Sequence, residues 1–297
     1  MKTILITGSN GLVGQHLVYL LKQDPSYRVI ATGRGVNRLY DQQGYTYIAT
    51  DLLDAVAAEQ LVLDTRPDII IHAAALSLPD YCEQHMVDCW NTNVTATRFL
   101  IDAAKKTNSF FLLLSTDFVF DGLNGPYAEQ NTPNPMNYYG SSKVAAEKAV
   151  QESHLRWAIA RTILVYGLAD SHSRKTIVTL VKEGLETGKM LQLVNDQFRM
   201  PTLVHDLAIG CKSICDGLHT GIYHLSGQEW FTPFEMGRAI AEHLQLDPHL
   251  IISSDRTQFK EIAQRPPKTG FILDKAQKEL HYQPRTLQQG LALIFPG

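Results

Sequence analysis

No apolar run in the sequence approaches the roughly 18 consecutive residues that a membrane-spanning helix needs, so neither a span nor a membrane partner is expected. An excess of one charge is also missing. Lys and Arg number 27 against 30 Asp and Glu, a net charge of −3, which leaves no electrostatic footprint for nucleic acid or an anionic surface. Cysteine is scarce, at four residues in 297. Cys211 and Cys215 stand four apart in an apolar helical pattern, which suits buried thiols better than a redox pair. Cys82 precedes His85 by three residues, but no second ligand pair sits nearby, so no metal is expected. With no disulfide framework to read, a reducing cytoplasm is the expected compartment. Internal repeats and low-complexity linkers are absent, and the apolar stretch after Met1 is too short for a signal peptide, so the chain is expected to lead straight into fold.

What is present is an alternation of short apolar strands and helical patterns. Lys2–Thr7 reads as a buried strand, and Gly8-Ser9-Asn10-Gly11-Leu12-Val13-Gly14 follows it before a helix. Strand, glycine turn and helix in this order are the context of a dinucleotide site, here spaced GxxGxxG. Gly8 permits the tight turn, Gly11 lets backbone approach a pyrophosphate, and Gly14 lets helix pack on strand. Asn10, Leu12 and Val13 belong to the same expected cofactor contact. The second strand, Arg28–Thr32, ends at Gly33-Arg34, and an arginine there suits a ribose 2′-phosphate, which favours NADP over NAD. A third strand, Tyr45–Ala49, ends before Asp51 and Leu52, with Asp51 placed to meet an adenine amino group. Asp54 is the expected N-cap of the next helix. A fourth strand, 68–72, runs into Ala73, Ala74 and Ala75, small enough for a ligand to lie against their backbone.

A long helical pattern is expected from Pro79 to Ala104, with polar Asn93 inside it. Phe110–Leu114 is a fifth strand leading into Ser115-Thr116-Asp117-Phe118, and Trp157–Arg161 a sixth. A hydroxyl just past a central parallel strand, as at Thr116, points into the ligand crevice of such sheets. Tyr139 and Lys143, four apart on one helical face, form a potential proton relay: a nearby ammonium is expected to pull the phenol down from its usual pKa near 10. The whole predicts an α/β protein with a doubly wound parallel sheet (Rossmann-like) and a smaller mixed C-terminal substrate lobe. Residues 1–166 are assigned to the dinucleotide-binding domain, with 200–225 returning to it. Residues 167–199 and 226–297 are assigned to the smaller lobe, which is expected to open with a helix from Ser171 to Gly188. Thr232-Pro233-Phe234-Glu235 reads as a capping box.

Together the glycine turn, Thr116 and the Tyr139/Lys143 pair resemble an extended short-chain dehydrogenase/reductase. The segment Ser115-Thr116-Asp117-Phe118-Val119-Phe120-Asp121-Gly122 is similar to one found in dTDP-4-dehydrorhamnose reductases, as are Arg161-Thr162, Asn195-Asp196-Gln197, Pro201-Thr202 and Arg265-Pro266. The resemblance implies an NADPH-dependent reductase of a nucleotide-linked 4-keto-6-deoxy sugar, with NAD as the alternative cofactor. It implies that Tyr139 donates the proton, Lys143 holds the nicotinamide ribose and Thr116 bonds the carbonyl oxygen. Asn93 would order water on the proton path. Asp117, Phe118 and Arg199 fall on the substrate side. A homodimer is compatible with the resemblance. Three positions depart from it. Phe118 stands where many relatives carry Tyr, and His16 where some carry a magnesium-binding glutamate, so no metal is carried over. Arg199 looks more like the non-catalytic β regulatory subunit of methionine adenosyltransferase; it suits either a grip on a diphosphate or a solvated loop. The alternatives are therefore a cofactor-binding regulatory protein, or an epimerase or dehydratase.

Overall fold

The computed structural model describes residues 1–170, 175–259 and 261–296. Strands β1 (Lys2–Thr7), β2 (Tyr27–Gly33), β3 (Thr46–Ala49), β4 (Ile69–His72), β5 (Phe110–Thr116) and β6 (Trp157–Thr162) are parallel neighbours. Beyond β6 the chain makes four short strands, β7 (Val165–Tyr166), β8 (Leu191–Val194), β9 (Phe198–Arg199) and β10 (Thr202–Leu203). Strand β11 (Gly221–His224) then returns to pair with β6. Among the described residues the main sheet thus has seven strands in the order β11-β6-β5-β4-β1-β2-β3, reversing direction of growth at β1/β4, where ligands bind in such sheets.

Both faces of this sheet are covered, so its strands are apolar at successive positions rather than alternate ones. The side chains still divide by pleat. Ile4, Ile6, Ile69, Ile71, Phe110 and Leu112 join one core with Leu17 and Val18 of α1 (Leu12–Leu21). Leu5, Ile70, Phe111 and Leu113 join the other, with Leu61 and Val62 of α2 (Ala55–Thr65). Asp54 caps α2 by accepting from the N–H groups of Val56 and Ala57 at 3.0 and 3.1 Å.

The helical stretch expected from Pro79 to Ala104 is not continuous. It is broken at His85 (φ −126°, ψ 61°) between α3 (Pro79–Gln84) and α4 (Met86–Trp90), and Asn91–Thr95 forms a π-turn before α5 (Ala96–Thr107). Asn93 lies on that turn and faces inward at 1% exposure, not to solvent. Helix α6 (Tyr138–Gln151) is capped by Asn137, whose Oδ1 accepts from Gly140 N at 2.8 Å.

Of the later elements, α7 (Ile177–Glu186), α9 (Pro233–His243), β12 (Ile251–Ser254) and α11 (Leu287–Ile294) make the smaller lobe, whereas α8 (Val204–Gly217) and α10 (Asp274–Leu280) pack under the main sheet through Leu207, Cys211, Ile214, Ala276 and Leu280, and β13 (Lys268–Thr269) pairs with β9. The lobe's own core joins α7, α9 and α11 to β8 and β12. Helix α7 begins at Ile177, because the N–H of Thr176 bonds to Thr179 Oγ1 at 2.9 Å and closes the helix start there. The earlier start expected at Ser171 falls in 171–174, outside the described residues. The capping box of α9 pairs Thr232 with Glu235, as its sequence indicates.

Candidate active site

The turn after β1 is shaped by absence of side chains. Gly8 has φ +67°, and a Cβ there would come within 2.6 Å of Ala74 N; one on Gly14 would come within 2.3 Å of Gly8 O. Gly11 is the N-cap of α1, and the first-turn N–H groups of Leu12 and Val13 follow it without helical partners. Such a bare helix start favours a phosphate. Asn10 ties the turn to the loop after β2: its Nδ2 donates to Val36 O at 3.0 Å, and its Oδ1 accepts from Arg38 N at 3.0 Å. A cavity opens here at the ends of β1 to β4. Gly8, Asn10, Gly11, Arg34, Asp51 and Leu52 line it, with Ala73, Ala74 and Ala75 on the opposite wall. Asp51 accepts from Leu53 N at 3.0 Å. The backbone cradle that a Cβ would fill, and the two exposed arginines at its rim, fit a dinucleotide carrying an extra phosphate.

At the same carboxyl edge of the sheet, three consecutive residues of β5 meet three residues of α6. Lys143 Nζ donates to Leu114 O at 2.7 Å. Ser115 Oγ donates to Glu147 Oε1 at 2.5 Å. Thr116 stands close enough to Tyr139 to draw its phenol downward. All three helix residues are buried, Tyr139 at 8%, Lys143 at 2% and Glu147 at 1% exposure. Asn93 joins from the π-turn. Its Oδ1 accepts from Leu76 N at 2.8 Å, and its Nδ2 donates to Ser142 Oγ at 2.9 Å, so it links the segment after Ala75 to the middle of the Tyr139–Lys143 turn.

The electrostatics correct one expectation. Burial pushes the Tyr139 phenol well above its usual value; Thr116 is the main group pulling it back, and Asp117 adds to the rise. Lys143 spends its hydrogen bond on a carbonyl of the strand rather than lowering the phenol. Burial brings Lys143 itself down to about 8, with Glu147 and Cys89 opposing the fall.

The residues read as substrate-facing form a buried knot of their own. Thr116 Oγ1 donates to Asp117 Oδ1 at 3.1 Å, and Thr269 donates to the other carboxylate oxygen. Arg199 is not solvated, as one of its two readings supposed, but 5% exposed. On the two-residue strand β9 it turns inward while Phe198 turns out. Its Nη1 and Nη2 donate to Phe198 O and Pro266 O, each at 2.7 Å, and its Nε lies 3.7 Å from Asp117 Oδ2. Phe118 meets the Tyr139 ring edge-on at 5.7 Å, with the Arg199 guanidinium 5.9 Å from its centroid. The segment 264–271 holds this knot against the first domain: Gln264 O accepts from Asn137 Nδ2 at 2.7 Å, and Arg265 pairs with Asp80 at 2.7 Å.

Several residues of the site were not read from the sequence. Arg38 lines the cavity beside Arg34, four residues later in the same loop, a spacing that could have drawn notice. Ser115, Glu147 and Arg161 form the layer beneath the Tyr139/Lys143 pair. Cys82 and Cys89 pack in one small cluster with Tyr139. His85 stacks instead on Tyr81 at 4.1 Å. His16 bonds to Leu168 O at 2.8 Å. Among the described residues no three potential metal ligands gather, and no helix is long and apolar enough to cross a membrane.

A parallel sheet with a glycine turn after its first strand, and a Thr, Tyr and Lys cluster across β5 and α6, define a dinucleotide-binding α/β protein of the short-chain dehydrogenase/reductase type. More narrowly, the chain belongs to the RmlD substrate binding domain family, whose model matches residues 1–296. It is 27% identical over 306 residues to dTDP-4-dehydrorhamnose reductase of Aggregatibacter actinomycetemcomitans, covering 99% of this chain and 98% of that protein. It is 33% identical over 251 residues to methionine adenosyltransferase 2 subunit beta of Bos taurus, covering 82% of this chain and 73% of that one. Among solved structures, dTDP-4-dehydrorhamnose reductase from Bacillus anthracis, in complex with NADP, superimposes with a TM-score of 0.85 at 25% identity, covering 99% of this chain and 98% of that one. The resemblance to reductases read from the sequence therefore holds.

Proposed function

We propose that the protein is an NADPH-dependent reductase of a nucleotide-linked 4-keto-6-deoxy sugar. The observation that carries this reading is the grouping of Thr116, Tyr139 and Lys143 where β5 and α6 adjoin, at the same carboxyl edge of the parallel sheet as the glycine turn and its cavity. Gly8, Gly11, Asn10 and the first turn of α1 would hold the pyrophosphate, Arg34 and Arg38 a 2′-phosphate, Asp51 and Leu52 the adenine side, and Ala73 to Ala75 the backbone wall. Reduced nicotinamide bound there supplies a hydride for the keto carbon.

The chain's own part is protonic and electrostatic. Tyr139, held protonated by burial, is the group that gives a proton to the developing alkoxide. Thr116 stands beside it as a hydroxyl donor for the same oxygen, once that hydroxyl rotates away from Asp117. Lys143 places a positive charge one helical turn away. Asn93 fixes the turn that carries Tyr139 and Lys143 to the backbone past Ala75, and holds their spacing when ligand enters.

A second reading is supported by the 33% identical relative named methionine adenosyltransferase 2 subunit beta and by Arg199, whose donors are turned into the protein. In it the chain binds the dinucleotide and docks a partner without turnover. Purified protein with NADPH and a dTDP-4-keto-6-deoxy sugar separates the two, because consumption of reduced nicotinamide requires the reductase. Saturable NADPH binding with no consumption on any keto sugar selects the regulatory reading.

A further inference from the structure

The buried face of α6 carries a third residue in line with Tyr139 and Lys143. Glu147 lies one turn beyond Lys143, at the helical spacing that sets two side chains over one another. It is 1% exposed and has no solvent to balance its charge. Its partners come from two strands. Oε1 accepts from Ser115 Oγ at 2.5 Å and from Arg161 Nε at 3.0 Å, and Oε2 accepts from Arg161 Nη2 at 2.6 Å. Arg161, on β6, is itself fully enclosed, with the Phe120 ring 5.1 Å from its guanidinium and His224 Nε2 3.4 Å from Nη1.

A buried ion pair of this kind is weak evidence for stability, since apolar residues of equal volume often serve as well. Its position suggests another use. Ser115 stands between Leu114, whose carbonyl holds Lys143, and Thr116, which meets Tyr139, so the bond from Ser115 to Glu147 fixes the register of strand against helix for both flanking contacts. We propose that Glu147, held by Arg161, is a positioning residue of the site: it aligns β5 with α6 and sets a compensating negative charge beside the Lys143 ammonium.

The charges around Lys143 bear this out in direction. Glu147 from its own helix and Cys89 from α4 favour the ammonium. His72 of β4 is held down to about 3 by burial and by Lys143, and so adds no opposing charge at neutral pH. Tyr139 is held neutral. Arg161 is the one cation of the group, and Glu147 accepts from it by both oxygens. Glu147 is therefore the main anion opposing the desolvation of Lys143.

The role at the nicotinamide ribose rests on the reductase reading, so the test uses cofactor binding, which needs no sugar substrate. The dissociation constant of NADPH is followed by nicotinamide fluorescence from pH 6.5 to 9.5 in the full chain, in Glu147→Gln/Arg161→Met, in Ser115→Ala and in Lys143→Met. The double variant avoids leaving one buried charge alone. In the wild type, affinity should fall on the alkaline side as Lys143 loses its proton, and Lys143→Met should abolish that step. The double variant should move its midpoint about one pH unit lower, while Ser115→Ala, which keeps the charge, leaves it in place. A midpoint unmoved in the double variant, or moved as far by Ser115→Ala, overturns the proposal. Keto-sugar turnover is measured alongside. Turnover with an unmoved midpoint sinks this inference alone; a shifted midpoint with no turnover supports it and removes the reductase reading instead.

Discussion

Arg199 reaches Asp117 across the junction of the two lobes, 3.7 Å from nitrogen to oxygen, with both groups almost wholly out of water. Burial raises the Asp117 carboxyl, and Arg199 is the largest force opposing that rise. Arg199→Ala should therefore strand a buried carboxylate and lower unfolding free energy by about 3–5 kcal/mol, whereas Asp117→Asn/Arg199→Met should lose much less. Denaturant unfolding of the two variants checks this. Equal losses would mean that volume, not charge, matters at this junction.

Tyr139→Phe removes the proposed proton donor while leaving its ring against Phe118. Turnover on a 4-keto sugar should drop by about two orders of magnitude or more, with NADPH binding changed little. Retained turnover would assign the proton to another group.

Arg34→Ala and Arg38→Ala each remove a guanidinium from the cavity rim. Each should weaken NADPH binding about 10-fold, the scale of one charge-assisted hydrogen bond, and leave NADH binding nearly unchanged. The ratio of the two dissociation constants is the measurement. A ratio unaltered in both variants sinks the 2′-phosphate assignment.

Lys143 carries a pH signature in stability. Its folded value is lowered to about 8 from 10.5 by burial, so between those values the unfolded chain binds more protons than the native one. Stability from this group then rises with pH across that window, and the cost of burying the ammonium is fully present below pH 8. The full effect is about 3 kcal/mol. Chemical denaturation at pH 8 and pH 10 should show a wild-type slope more positive than that of Lys143→Met.

Gly14→Ala tests the packing of α1 on its turn. Alanine is favoured in a helix by about 1 kcal/mol over glycine, yet its Cβ would lie 2.3 Å from the Gly8 carbonyl. The contact is with backbone, so the steric term should win, with a lower Tm and weaker NADPH binding. An unchanged or raised Tm would show that the turn can yield.

Much of the sheet was legible because its strands are buried on both faces. Residues 69–71 and Phe110–Leu114 are unbroken apolar runs, and no surface strand would tolerate that. The glycine turn and the Thr232/Glu235 box were legible for a related reason: each needs particular residue types at fixed spacing. The break at His85 and the π-turn were not, since a shift of backbone bonding by one residue requires no special side chain. Asn93 was singled out in the sequence, but its tie to the backbone of Leu76 and to the Ser142 hydroxyl was not legible, because those partners come from other elements. Glu147 and Arg161 sit on different elements, and their pairing follows only from the placement of α6 over β5 and β6. The inward turn of Arg199 depends on the phase of a strand two residues long, too short for any alternation to declare itself.

Strand β11 is drawn from far along the chain, yet it flanks β6 in the main sheet. Cutting the gene after the Tyr139 helix and β6 would leave Trp157–Thr162 with a row of unsatisfied amides facing water, an invitation to intermolecular strand pairing. The nucleotide half is consequently not a transplantable module. A fusion or minimal fragment built on this scaffold must carry the later polypeptide with it, even where only cofactor capture is wanted.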